Sequence, residues 1–213
     1  FSTYNNKNQG NTSFLGIAVD PTGTAVYVTG YFSGTWGNLT SRGLSDMFVL
    51  RINSETRVTD GILRLRTIPN ATDSGLGIAV DLTGNVYVTG VSKTKLVVYR
   101  VNSTFRSDSV EWTKTFNVGN SSGLGIAVDP TGTAVYVTGY FEGTYTQSDI
   151  SIRSKGLRDI FVLRLNAKTG RTERVKTFGG KGNDAGAGIA VDSTGNVYVT
   201  GSFTAKGASD IFV

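Results

Sequence analysis

The chain contains no cysteine and no histidine, and only three of its 213 residues are proline. Without thiolates or imidazoles it has no zinc site of the usual ligands, no cysteine or histidine nucleophile, and no serine triad with a histidine base. Stability must come from packing rather than cross-links, and the lack of cysteine does not by itself fix the redox compartment. Long apolar runs are missing too: no stretch approaches the roughly 18 apolar residues of a membrane helix, so membrane insertion is not expected. Nor is there a run of one charge sign. Lys and Arg number 21 against 16 Asp and Glu, a net charge of +5. The cations are spread over Arg51, Arg57, Arg64, Arg66, Arg153, Arg158, Arg164, Arg171 and Arg174. That is the pattern of a solvated surface, not of a nucleic-acid footprint. The first residue is Phe1, which suggests a processed or excerpted chain.

What the sequence does have is glycine, 28 residues of it, and a repeat. Gly-Ile-Ala-Val-Asp occurs at Gly16, Gly77, Gly125 and Gly188, each time followed by x-Thr-Gly and a Val- and Tyr-rich run such as Asn196-Val-Tyr-Val-Thr-Gly201. An apolar strand, a turn and a second apolar strand make a β-hairpin. A hairpin alone cannot bury its apolar face, so four copies at intervals of about 50 residues imply neighbours that bury one another. Further strands follow: Asp46 to Asn53, Lys95 to Val101 and Asp159 to Asn166, then Ile62 to Ile68, Glu111 to Phe116 and Val175 to Phe178. Each unit thus holds four antiparallel strands, called A to D. The B to C connection is long in units one (Tyr31 to Ser45) and three (Tyr140 to Arg158) and short in units two and four.

Four-stranded antiparallel sheets repeating in this way are β-propeller blades, so the expected fold is all-β, a single domain over 1–213. Blade 1 is expected over about 15–68, blade 2 over 76–116, blade 3 over 124–178, and blade 4 over 187–213 with the strand 1–4 added. The Gly-Ile-Ala-Val-Asp-x-Thr-Gly-Asn-Val-Tyr-Val-Thr-Gly pieces, Asp159-Ile-Phe-Val-Leu-Arg-Leu-Asn and Thr177-Phe-Gly-Gly-Lys-Gly-Asn-Asp resemble the prokaryotic SBBP beta-propeller repeat. The best copy runs from Thr177 to Gly201. Departures are the missing Gly-Gly-x-Gly-Asn-Asp after Ile68 and Phe116, and Lys95-Leu96 in place of Asp-Ile. The resemblance implies a secreted or cell-surface protein and transfers no catalytic residue.

The chain opens on strand D (Phe1, Ser2, Thr3, Tyr4) and closes on strand C (Asp210, Ile211, Phe212, Val213), so the leading strand is expected to complete the last blade. It does so within one chain, closing a ring, or in a neighbouring subunit, giving a homo-oligomer or filament; a fragment of a longer array is the third alternative.

The long loops carry aromatic residues. Tyr31, Phe32, Tyr140 and Phe141 read as rim plugs, whereas Trp36 and Tyr145, with Arg42 and Arg153 nearby, are the ligand-binding candidates for a glycan or protein. Asp20, Asp81, Asp129 and Asp192 read as Asx-turn residues, since calcium needs more oxygens than one turn supplies, and no metal site is expected. Asp46, Asp159 and Asp210 read as caps of the loops before strand C. Glu142 and Asp149 are acids of one loop with nothing to pair them. Glycosylation candidates are Asn11, Asn38, Asn70, Asn102 and Asn120, each in Asn-x-Ser/Thr. The sequence therefore points to an extracellular or cell-surface structural or adhesive module that self-assembles by strand exchange, with a glycan or protein receptor as the alternative. No catalytic residue, enzyme activity or cofactor is expected.

Overall fold

The computed structural model describes residues 10–65, 68–147, 150–205 and 208–212. In unit one, β1 (Thr12–Val19) and β2 (Ala25–Phe32) form the repeated hairpin. A small side hairpin of β3 (Thr35–Trp36) and β4 (Leu39–Thr40) follows, then β5 (Asp46–Asn53) and β6 (Thr59–Arg64). Unit two runs β7 (Asp73–Val80), β8 (Val86–Ser92), β9 (Lys95–Val101) and β10 (Val110–Thr115). Unit three has β11 (Ser121–Val128), β12 (Ala134–Phe141), a side hairpin of β13 (Thr144–Gln147) and β14 (Ile150–Arg153), β15 (Asp159–Asn166) and β16 (Thr172–Phe178). Unit four has β17 (Ala185–Val191), β18 (Val197–Ala205) and β19 (Ala208–Phe212). The strand order is meander-like in every sheet: β1-β2-β5-β6, β7-β8-β9-β10, β11-β12-β15-β16 and β17-β18-β19.

Each strand A is interrupted by a bulge at the residue before its Gly-Ile, namely Leu15, Leu76, Leu124 and Ala187. A bulge inserts one unpaired residue and breaks the period-two alternation, which is why the sequence places the first strand at Leu15 while pairing extends back to Thr12. The two long connections, read as loops from the sequence, contain the side hairpins.

Strand A of each unit lies against strand A of the next: β1 on β7, β7 on β11, β11 on β17. Apolar side chains fill the two gaps between the first three sheets. One core joins Tyr27, Met47 and Val49 to Val86, Val88 and Tyr99; the other joins Tyr87, Leu96 and Val98 to Val135, Val137 and Leu163. At one end of the molecule the B to C and D to A connections meet, through Ser33 N to Asn11 O (2.8 Å), Lys93 N to Thr72 O (3.0 Å) and Glu142 N to Asn120 O (2.8 Å).

Three sheets have four strands and the last has three among the described residues. No contact comparable to those between successive units joins β17 to β1. The expected leading strand, Phe1 to Tyr4, lies outside the described residues, as does Val213. Asp210 to Phe212 form part of β19, whose outer edge has no partner among the described residues.

Candidate functional site: the open sheet faces

The aromatic candidates do not form a binding platform. Trp36 is 1% exposed and Tyr145 5%. Trp36 is carried by the β3–β4 hairpin onto the outward face of the first sheet, with Phe48 at 4.7 Å and Phe32 at 5.7 Å between ring centroids. Tyr145 is carried by β13–β14 onto Phe116 at 5.2 Å, and its hydroxyl donates to Gln147 Oε1. Burial pushes the Tyr145 phenol above its ordinary pKa. The ligand-binding assignment of these two rings is therefore corrected: amphipathic hairpins fold their large side chains inward, leaving no ring face for a sugar. Arg42 and Arg153 are exposed, in the excursions of different sheets. Phe32 and Phe141 are buried and plug the rim as expected, whereas Tyr31 and Tyr140 are half-buried, Tyr140 beneath the Arg158 guanidinium at 4.3 Å.

The four turn carboxylates are saturated. Asp81 accepts from Thr83 N (2.9 Å), Thr83 Oγ1 (2.7 Å), Asn85 N (2.9 Å), Asn85 Nδ2 (2.8 Å) and the Tyr87 hydroxyl (3.1 Å). Asp192 repeats this set with Thr194, Asn196 and Tyr198. Asp20 and Asp129 use Thr22, Thr24 and Ala25, or Thr131, Thr133 and Ala134. Burial raises the pKa of Asp20, Asp81 and Asp129, yet the hydrogen bonds outweigh it and all three lie below the usual carboxylate value; at Asp192 the bonds from Asn196 and Thr194 dominate. Among the described residues no cluster of acids is arranged to hold a metal ion.

Asp46 and Asp159 cap their loops as expected, accepting from Arg42 N (2.9 Å) and Lys155 N (3.0 Å). The side chain of Asp210 and all of Asp149 lie outside what is described. Asp184, which the sequence reading passed over, is fully buried and takes Gly180 N (2.8 Å) and Thr204 N (2.6 Å), bracing the fourth sheet. Its signal was present in Gly-Gly-Lys-Gly-Asn-Asp184. Of the sequon residues, Asn11, Asn38 and Asn70 are exposed; Asn102 and Asn120 are half-buried, and Asn102 Oδ1 is engaged by Thr104 N (3.1 Å).

What distinguishes the surface is its two terminal sheet faces. Ile17 is 71% exposed, whereas its counterparts Ile78 and Ile126 are 8% exposed beneath the preceding sheet. Around Ile17 the exposed Phe14, Leu15 and Val58 and the half-buried Val28 and Ile52 line one groove over the buried Leu50, and Val19 is exposed on the same strand. At the other end Tyr198 is 51% exposed, against 3% for Tyr27 and 0% for Tyr87, each of which has a following sheet over it. A second apolar groove runs between the third and fourth sheets, lined by Tyr136, Ile160, Val162, Phe178, Val197 and Phe203. Contiguous apolar surface of this kind is uncommon on a monomeric soluble protein and makes these faces the candidate site.

Comparison with solved structures shows the fold. The chain is similar to the hydrazine synthase of Kuenenia stuttgartiensis (TM-score 0.54, 13% identity), covering 89% of this chain and 64% of that one. Similarity also extends to the acylaminoacyl peptidase of Pyrococcus horikoshii (TM-score 0.44, 9% identity; 94% and 32% covered). A further match is a putative 6-phosphogluconolactonase of Bacteroides uniformis (TM-score 0.44, 11% identity; 92% and 65% covered). The chain thus spans between about a third and two thirds of their lengths. No curated protein sequence matches it. The expectation that the chain is not an enzyme is corrected by the first of these: a hydrazine synthase carries this fold, so the fold gives no ground for setting catalysis aside. At such identity the likeness concerns architecture alone. At the sequence level the Beta-propeller repeat family SBBP matches residues 62–95 and 175–202. Both matches contain the Thr-Gly-Asn form of the hairpin turn, with Asn85 or Asn196 bonded to the turn carboxylate. These two stretches, each running from the last strand of one sheet into the first hairpin of the next, are the parts of the chain that match the SBBP beta-propeller repeat.

Proposed function

We propose that the protein is a structural module of the cell surface or extracellular space that builds assemblies by presenting its terminal sheet faces to other protein surfaces. The observation that carries this reading is the contrast at equivalent positions: Ile17 against Ile78 and Ile126, and Tyr198 against Tyr27 and Tyr87. The repeat supplies an apolar side chain at each place whether or not this chain supplies a sheet to cover it. Strand exchange belongs to the same reading, since the outer edge of β19 offers main-chain groups to a fourth strand, either Phe1 to Tyr4 of the same chain or that of a neighbour. The localisation follows from the family resemblance. Receptor function through Trp36 and Tyr145 is set aside because both are buried.

Native mass measurement with electron microscopy of material isolated from its host tests the reading. The expected result is particles heavier than one chain, lost in Ile17→Asp and Tyr198→Asp variants. Isolated single-chain particles at micromolar concentration, unchanged by either substitution, overturn it.

A further inference from the structure

The three interfaces inside the molecule share one steric rule. A Cβ placed at Gly75 of β7 would stand 2.1 Å from Thr29 Oγ1 of the sheet before it; at Gly123 of β11 it would stand 1.9 Å from Thr89 Oγ1; at Gly186 of β17, 2.1 Å from Thr138 Oγ1. Real contacts are never that short, so the following sheet docks only with glycine there. The threonines cannot swing aside, because each hydroxyl donates to the next strand: to Phe48 O (2.7 Å), Val97 O (3.2 Å) and Phe161 O (2.9 Å). On the receiving side glycine relieves a tighter contact than most side chains make. A Cβ at Gly16, Gly77 or Gly125 would meet backbone of the following strand A at 3.0–3.1 Å, through Leu76 O, Leu124 O and Ala187 O.

The fourth sheet repeats the receiving glycine, tyrosine and threonine, and among the described residues no sheet lies over them. Gly188 stands where Gly16, Gly77 and Gly125 do, and a Cβ on it would meet only Thr200 of its own sheet. Thr200 and Tyr198 are exposed. Tyr198 is held in place by its hydrogen bond to Asp192 (3.0 Å), as Tyr87 is by Asp81 beneath the third sheet. The first sheet lacks the complementary feature. Where Gly75, Gly123 and Gly186 stand, β1 has Phe14, whose ring packs edge-on against Phe48 (5.6 Å) and Trp36 (6.0 Å) and roofs the face a preceding sheet would cover.

We propose that the face of the fourth sheet bearing Gly188, Tyr198 and Thr200 is a docking site for a β-sheet whose inner strand has glycine at the position of Phe14, and that Phe14 keeps this chain's own first sheet out of it. The partner is thus another propeller blade with a Gly-x-Gly-Ile inner strand, and neither ring closure within the chain nor head-to-tail stacking of identical chains uses this contact. The inference rests on the assembly reading above and names the partner of one of its faces.

The test uses full chains as probes. In Phe14→Gly/Thr200→Trp the donor face is opened and the chain's own receiving face is filled, so it can neither close nor polymerise. Mixed with wild type, it forms a one-to-one complex in sedimentation velocity, at least about tenfold tighter than wild type binds itself. Phe14→Ala/Thr200→Trp, which keeps a Cβ, does not. No complex with the glycine variant, or equal binding by the alanine variant, overturns the proposal. Strand-type circular dichroism shows that the variants fold; should Thr200→Trp prevent folding, Phe14→Gly alone, whose two faces now fit each other, closes or polymerises and slows amide exchange across β17 and β18, whereas Phe14→Ala alone does not. Failure here, with native assemblies still lost on Ile17→Asp or Tyr198→Asp, refutes this partner while leaving the assembly reading intact.

Discussion

At the scale of single residues, the turn carboxylates show how one side chain fixes a hairpin. Asp81 is nearly buried and is bonded by two backbone amides and three side chains, so replacing it leaves donors without partners. Asp81→Ala is expected to cost about 2–3 kcal/mol, lowering the thermal midpoint by roughly 5–10 °C in calorimetry. The pH dependence follows from the same bonds. Asp20, Asp81 and Asp129 have folded pKa values below the ordinary 3.8, so their contribution is fully present above that value and is lost as pH falls through the folded ones. The thermal midpoint is expected to hold level from pH 7 to about pH 5 and to fall below about pH 4, less steeply in Asp81→Ala. The Asx turn was legible in Asp-x-Thr-Gly because the motif is local. The reach of Asn85 and Tyr87 back to the same carboxylate was not, since it depends on which face of strand B each side chain takes.

At the scale of elements, the side hairpins are the least legible part of the fold. β3 and β4 have two residues each, too short for a periodicity to register, and the first reading of Trp36 as a surface anchor followed from taking its segment as a loop. What decides its position is the apolar face of the first sheet, where Phe32, Phe48 and Leu50 form a cluster with it. Trp36→Ala is expected to cost on the order of 3–5 kcal/mol in chemical denaturation, by the cavity left among these rings. A second tie joins the outer strand of the second sheet to the turn between β15 and β16. Trp112 of β10 donates from Nε1 to Ala167 O at 3.1 Å and lies over Gly170, whose φ is +68° and whose Cβ, if present, would be 2.8 Å from the indole. Gly170→Ala therefore both strains the backbone and pushes the second and third sheets apart. It is expected to cost about 1–3 kcal/mol, with faster amide exchange in β10 and β16 as the local readout.

At the scale of the whole molecule, the repeat made the sheets legible, but the phase of the chain ends suggested ring closure that the described residues do not show. Strand phase reports which edges lack hydrogen-bond partners. It says nothing about whether two faces fit. The face information was nevertheless in the sequence, three residues upstream of each Ile, where Phe14 replaces the glycine of the other copies. The open succession also separates local from global causes of stability. Ile17, Ile78 and Ile126 hold equivalent places in the Leu-Gly-Ile-Ala-Val of three inner strands, in the same register, and differ in whether a sheet lies over them. Asparagine at Ile126 puts an amide into the gap between two sheets, where both the apolar contact and the amide's hydrogen bonds are lost, at a cost of about 3–5 kcal/mol. The same change at Ile17 meets water and should stay within about 0.5–1 kcal/mol. Urea titration of the isolated chain measures both. Equal losses at the two positions would mean that the first face is covered in solution, and an Ile17→Asn loss that appears only in the presence of a partner blade would locate that cover outside the chain.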